Sequence, residues 1–127
     1  TPEVIAEVRA MHSARAKKAG KLRRRRTAAR VNGMVRDSVM ACLKGQAGPR
    51  RAAFIERLLR YRISDLRARI EAAFADGMTW HLDHRRPLSS FRINKLACRE
   101  TRDAWAIDNL QPLWAADNLR KGARWCP

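Results

Sequence analysis

The chain has 127 residues, enough for one domain with a modest core and an extension. Lys and Arg outnumber Asp and Glu by 28 to 12, giving a formal net charge of +16, so the surface attracts polyanions, of which nucleic acid is the commonest. Three widely spaced cysteines (Cys42, Cys98, Cys126) with no C-x-x-C pair support neither a disulfide framework nor a zinc knuckle, and no apolar run approaches the roughly 20 residues of a membrane span.

Residues 3 to about 19 carry Val4, Ile5, Val8 and Met11 at helical spacing behind Pro2, which predicts a first helix. Between residues 8 and 36 there is no acidic side chain, while eleven are Lys or Arg. Arg23, Arg24, Arg25 and Arg26 form the densest part, with Arg30 just beyond. Such a run fits phosphate binding through charge, which by itself carries no sequence recognition. A second helix is predicted over 22–43, with Val31, Met34, Val35, Val39 and Cys42 as its core stripe. Gly45 and the stretch 46–49 read as its stop and a turn. A third helix is expected over 50–61, burying Phe54, Ile55, Leu58 and Leu59. A fourth is expected behind Ser64 as N-cap, with Leu66, Ile70, Ala73 and Phe74 on one face and Gly77 at its end. The stripes of the second, third and fourth helices read as core. Residues 79–84 look like a short strand, 85–105 like a loop with room for a helical turn, 110–114 like a second strand, and 115–124 like a return to helix. Trp80, Trp105 and Trp114 read as core or loop anchors.

Two segments carry the chemistry. His81-Leu82-Asp83-His84-Arg85-Arg86-Pro87-Leu88 supplies an Asp-His pair, and residues 108–122 supply Asn109 and Asn118, nine residues apart. Asp83 and Asn118 offer oxygen atoms, which suit a hard ion such as Mg²⁺ or Mn²⁺. An unperturbed imidazole titrates near pH 6.5, close enough to neutrality for His84 to serve as a general base.

The wording D-H-x-x-P-L-S-S-F, then N-L-Q-P-L-W-A-x-D-N-L-x-K-G, with G-M-T-W upstream, closely resembles small HNH endonucleases of bacteriophages and prophages. The resemblance covers roughly residues 27–124. In this chain Trp80 abuts His81 where that family has several intervening residues, and Arg85 stands where it usually has an apolar one.

The resemblance implies an α+β fold, mainly helical. A basic helical nucleic-acid-binding extension (1–45) and a helical lead-in (46–78) would precede a C-terminal ββα-metal HNH core (79–127). It implies metal-dependent hydrolysis of DNA phosphodiester bonds, nicking one strand at a time and leaving 5′-phosphate and 3′-hydroxyl ends. Asp83 and Asn118 would hold one Mg²⁺ or Mn²⁺, with no structural zinc. His84 would activate water, and Asn109 would orient the imidazole through its other ring nitrogen. His81 and Lys121 are candidates for a further metal or phosphate contact. Arg85, Arg86 and Arg120 join Arg23 to Arg26 and Arg30 as candidate contacts to nucleic acid.

DNA is the expected partner, with no membrane, and a homodimer or phage packaging machinery stay open. The expected setting is the cytoplasm of a bacterial host. Thr1 in place of an initiator Met leaves room for a removed upstream segment. Two alternatives stand beside this reading. One is the nuclease domain of a bacteriocin or effector toxin, which would need an acidic immunity protein. The other is a catalytically idle DNA-binding or packaging protein.

Overall fold

The computed structural model describes residues 1–73 and 80–114, without the side chains of Trp80 and Trp114. Over the described residues the chain is mainly helical, with one two-stranded antiparallel sheet, an α+β arrangement. No described helix is long and apolar enough to cross a membrane.

The two helices expected over 3–19 and 22–43 are one, α1 (Pro2–Leu43). Thr1 caps it, its hydroxyl accepting from the Val4 N–H at 3.4 Å, and Pro2 occupies the first turn, where a missing N–H costs nothing. Gly20 does not break it. A lone interior glycine costs about 1 kcal/mol, and the Ala, Lys and Arg around it favour helix strongly enough to carry the chain through. Beyond Lys44, Gly45 takes the left-handed conformation (φ 69°) that turns the chain away.

Only the last third of α1 is packed. Val31, Val35, Val39 and Cys42 are buried, whereas Val4, Ile5, Val8 and Met11 lie 44–57% exposed, so the first stripe is not core. Met34 is also exposed. Helix α2 (Pro49–Leu59) buries Ile55 and Leu59 but leaves Phe54 exposed, and ends at Arg60 in the left-handed region (φ 65°). Helix α3 (Ile63–Ala72) buries Ile63, Leu66 and Ile70. Its cap is not Ser64. Arg62 precedes it without a side-chain cap bond, and the Glu56 carboxylate of α2 accepts the Ile63 N–H at 2.8 Å, placing negative charge at the helix start. Ala73 is exposed, and Phe74 and Gly77 lie outside the described residues. Arg67 in turn donates to the carbonyls of Cys42 (2.8 Å) and Leu43 (3.3 Å), closing the C-terminal end of α1.

Strands β1 (Trp80–His84) and β2 (Leu110–Trp114) pair antiparallel, with Asp83 opposite Gln111 and His84 opposite Leu110. Pro112 is tolerated because a two-stranded ribbon is all edge. Such a ribbon is marginal alone, and fully buried Leu110 ties it to the helical core. The connection 85–109 holds more helix than the single turn expected. It contains a 3₁₀ turn at Leu88–Ser90, a short helix α4 (Arg99–Ala104) and a 3₁₀ turn at Ile107–Asn109. Trp105 follows α4 and is wholly buried.

Candidate active site at the end of strand β1

Successive strand residues face opposite ways, yet Asp83 and His84 are both buried, each 6% exposed. Each face of the strand end is covered by a different element. On one, the Gln111 amide of β2 donates to Asp83 Oδ2 at 2.9 Å. On the other, the His84 ring meets the Trp105 indole edge-on, with centroids 4.4 Å apart and planes at 90°. Trp105 is fixed from two sides. Its indole N–H donates to Asn32 Oδ1 on α1 at 3.1 Å, and its carbonyl accepts the Tyr61 hydroxyl at 2.7 Å. Burial pushes the Tyr61 phenol above its ordinary range, which keeps the proton that this bond needs. The imidazole is therefore braced by an aromatic wall that reaches back to the long helix.

Asn109 spends its side chain on backbone groups. Its amide N–H groups go to the carbonyls of Arg86 (3.2 Å) and Ala104 (2.8 Å), and its Oδ1 accepts the Arg86 N–H at 2.8 Å. Both amide hydrogens are thus engaged by backbone, and neither goes to the imidazole. The Asn109 carbonyl also accepts the Arg85 N–H at 2.9 Å. Asn109 is a strap across the neck of the connection 85–109, fixing the two residues that follow His84. It sets where the backbone turns after His84.

Asn109→Ala is expected to lower stability by about 1–3 kcal/mol, because the Arg86 N–H and two carbonyls lose part-buried partners. Asn109→Asp should be no better, since it sets a carboxylate oxygen against two carbonyl oxygens. Denaturant unfolding of the three proteins checks both, and a neutral Asn109→Ala would remove the strap.

Arg86, expected at the nucleic acid, is built into the loop. Its guanidinium lies 4.2 Å over the Phe91 ring and donates to Ser90 Oγ (3.0 Å) and Ser90 O (3.1 Å). Arg85 and His81 are exposed, and Arg23, Arg24, Arg25, Arg26 and Arg30 are exposed along α1. Asn118, Lys121 and Arg120 lie outside the described residues. Among the described residues no group of three or more His, Cys, Asp or Glu is arranged to hold a metal ion. Asp83 fits as one ligand, being a buried carboxylate oriented by an amide and offering the hard oxygen that Mg²⁺ and Mn²⁺ take.

Three supporting residues escape the sequence reading: Gln111, Trp105 as the wall of the imidazole, and Asn32. The strand register alone could have pointed to Gln111, opposite Asp83. Comparison with protein-family models, curated proteins and solved structures finds no match for this chain.

Proposed function

We propose that the chain is a metal-dependent endonuclease of the HNH type, hydrolysing DNA phosphodiester bonds from a ββα-metal core. The observation that carries this reading is the end of β1, where a carboxylate and an imidazole adjacent in sequence are both buried and held by separate partners, Gln111 and Trp105. Preorganisation of this kind costs burial of two polar side chains, which a general base and a metal ligand would justify.

In this reading His84 takes a proton from water as its oxygen attacks phosphorus in line. The bond from phosphorus to the 3′ oxygen breaks, that oxygen takes a proton from solvent water, and the ends are 5′-phosphate and 3′-hydroxyl. Asp83 and Asn118 hold one Mg²⁺ or Mn²⁺, and the chemistry that ion supplies when bound is neutralisation of charge on the phosphate and leaving oxygen. Asn109 and Trp105 position the base. The basic face of α1 supplies the electrostatic grip on the backbone. A single site cuts one strand, so nicks are the expected product of a monomer.

Supercoiled plasmid with Mg²⁺, Mn²⁺, Zn²⁺ or EDTA tests this. Open-circular DNA should form with Mg²⁺ or Mn²⁺, and none in EDTA. Tight DNA binding with no cleavage under any metal would replace the nuclease by a catalytically idle DNA-binding protein, the alternative that the charge of α1 favours.

A further inference from the structure

Helix α1 continues well beyond the body it is anchored in. Residues 1–26 are exposed throughout, apart from half-buried Gly20, and at about 1.5 Å per residue they form a rod close to 40 Å long. The charge on this rod is not confined to one side. At about 100° per residue, Arg23, Arg24, Arg25 and Arg26 point in four directions roughly a quarter-turn apart. Lys17, Lys21 and Arg24 continue the line of Val31, Val35, Val39 and Cys42, the side packed on the body, while Arg15, Arg26 and Arg30 lie on the reverse.

Beyond Met11 the rod is polar all round apart from Leu22; such a helix is ordinarily stabilised by i,i+4 ion pairs, but between residues 8 and 36 no carboxylate exists to form one. Instead Lys17–Lys21, Lys21–Arg25 and Arg26–Arg30 set like charges one turn apart, each unfavourable by about 0.2–0.5 kcal/mol. The missing counter-charge has to come from outside and from more than one side of the rod.

We infer that residues 9–26 of α1 lie inside the major groove of duplex DNA, with phosphates of both groove walls flanking the helix. The inference deepens the nuclease reading and rests on it for the choice of DNA over other polyanions. A helix about 10–12 Å across matches a B-form major groove about 12 Å wide. The major groove of A-form RNA is too narrow and deep to admit it. A membrane surface would call for one apolar and one basic face, whereas the cations here encircle the helix. The core of the same helix reaches the candidate site through Asn32 and Trp105, so a groove-bound rod fixes the end of β1 relative to the duplex.

The test is binding of fluorescent 30-base-pair duplex DNA by the full chain in EDTA, which reads the rod without any cleavage. Two triple variants are compared with wild type: Lys17→Gln/Lys21→Gln/Arg24→Gln on the body side and Arg15→Gln/Arg26→Gln/Arg30→Gln on the reverse. Helix content by circular dichroism serves as the control. Both should lose affinity to a similar degree, each lowering the slope of log K against log salt by about 3. Helix content of the wild type should hold on adding duplex, and double-stranded RNA should compete poorly. Loss confined to the body-side variant would mean a one-sided phosphate track and overturn the inference. So would equal affinity for duplex RNA or single strands, or tighter binding to phosphatidylserine vesicles. Symmetric losses in a protein that never cuts plasmid would leave the groove assignment standing and sink the nuclease reading alone.

Discussion

His84→Ala is expected to reduce Mg²⁺-dependent plasmid nicking by about 10²- to 10⁴-fold, the range a positioned general base contributes, with DNA affinity unchanged. The separation follows from where the groups lie. His84 is 6% exposed and faces Trp105, whereas the cations that would grip phosphates stand on the exposed rod of α1. Because His84 also packs, alanine leaves a gap beside the indole, and some lost activity could come from a loosened strand end. His84→Gln separates the two effects. It keeps most of the volume and a polar terminus while removing a base able to accept the proton, so it should nick as poorly as the alanine variant but unfold closer to wild type. Nicking that survives both substitutions would remove His84 from the chemistry. Nicking lost in alanine but kept in glutamine would make it a packing residue.

The parts of the fold written in local pattern are legible in the sequence. The strands read at 79–84 and 110–114 form at 80–84 and 110–114, the first alternating Trp80, Leu82 and His84 with His81 and Asp83, and the stripe of Val31, Val35, Val39 and Cys42 faces the core as its spacing demands. Periodicity does not say whether a partner exists. Val4, Ile5, Val8 and Met11 repeat as well as any core stripe, and no described element covers them. Nor does one glycine end a helix whose neighbours favour it, as Gly20 shows. At the site, Asp83 and His84 stand out as a dipeptide, but what holds them does not. The Trp105 indole reaches Asn32 across 73 positions of sequence, and Asn109 spends its amide on backbone that local pattern cannot identify. Those contacts exist only after the helices and the connection 85–109 have packed together.

Trp105→Ala should lower stability by about 3–5 kcal/mol, the usual cost of emptying a large aromatic site in a core. The site is wholly buried and joins three parts of the chain: α1 through Asn32, the turn after α2 through Tyr61, and β1 through His84. In a domain this small such a loss is a large share of the total, so the informative variant is Trp105→Phe. Phenylalanine retains an aromatic edge for His84 but lacks the N–H, leaving Asn32 Oδ1 buried without its donor, a penalty of about 1–3 kcal/mol. Asn32→Leu strands the indole N–H instead and should cost a similar amount. Joining the two removes both halves of the bond, so the double variant should be less destabilised than the singles sum to, with a coupling of about 0.5–3 kcal/mol. Urea unfolding of the four proteins measures it. If Trp105 also positions the base, Trp105→Phe should nick more slowly at saturating DNA while its affinity for duplex holds, because the imidazole wall is no longer pinned to the helix. Strict additivity, with wild-type nicking in Trp105→Phe, would reduce the indole to core filler and detach the long helix from the chemistry at the end of β1.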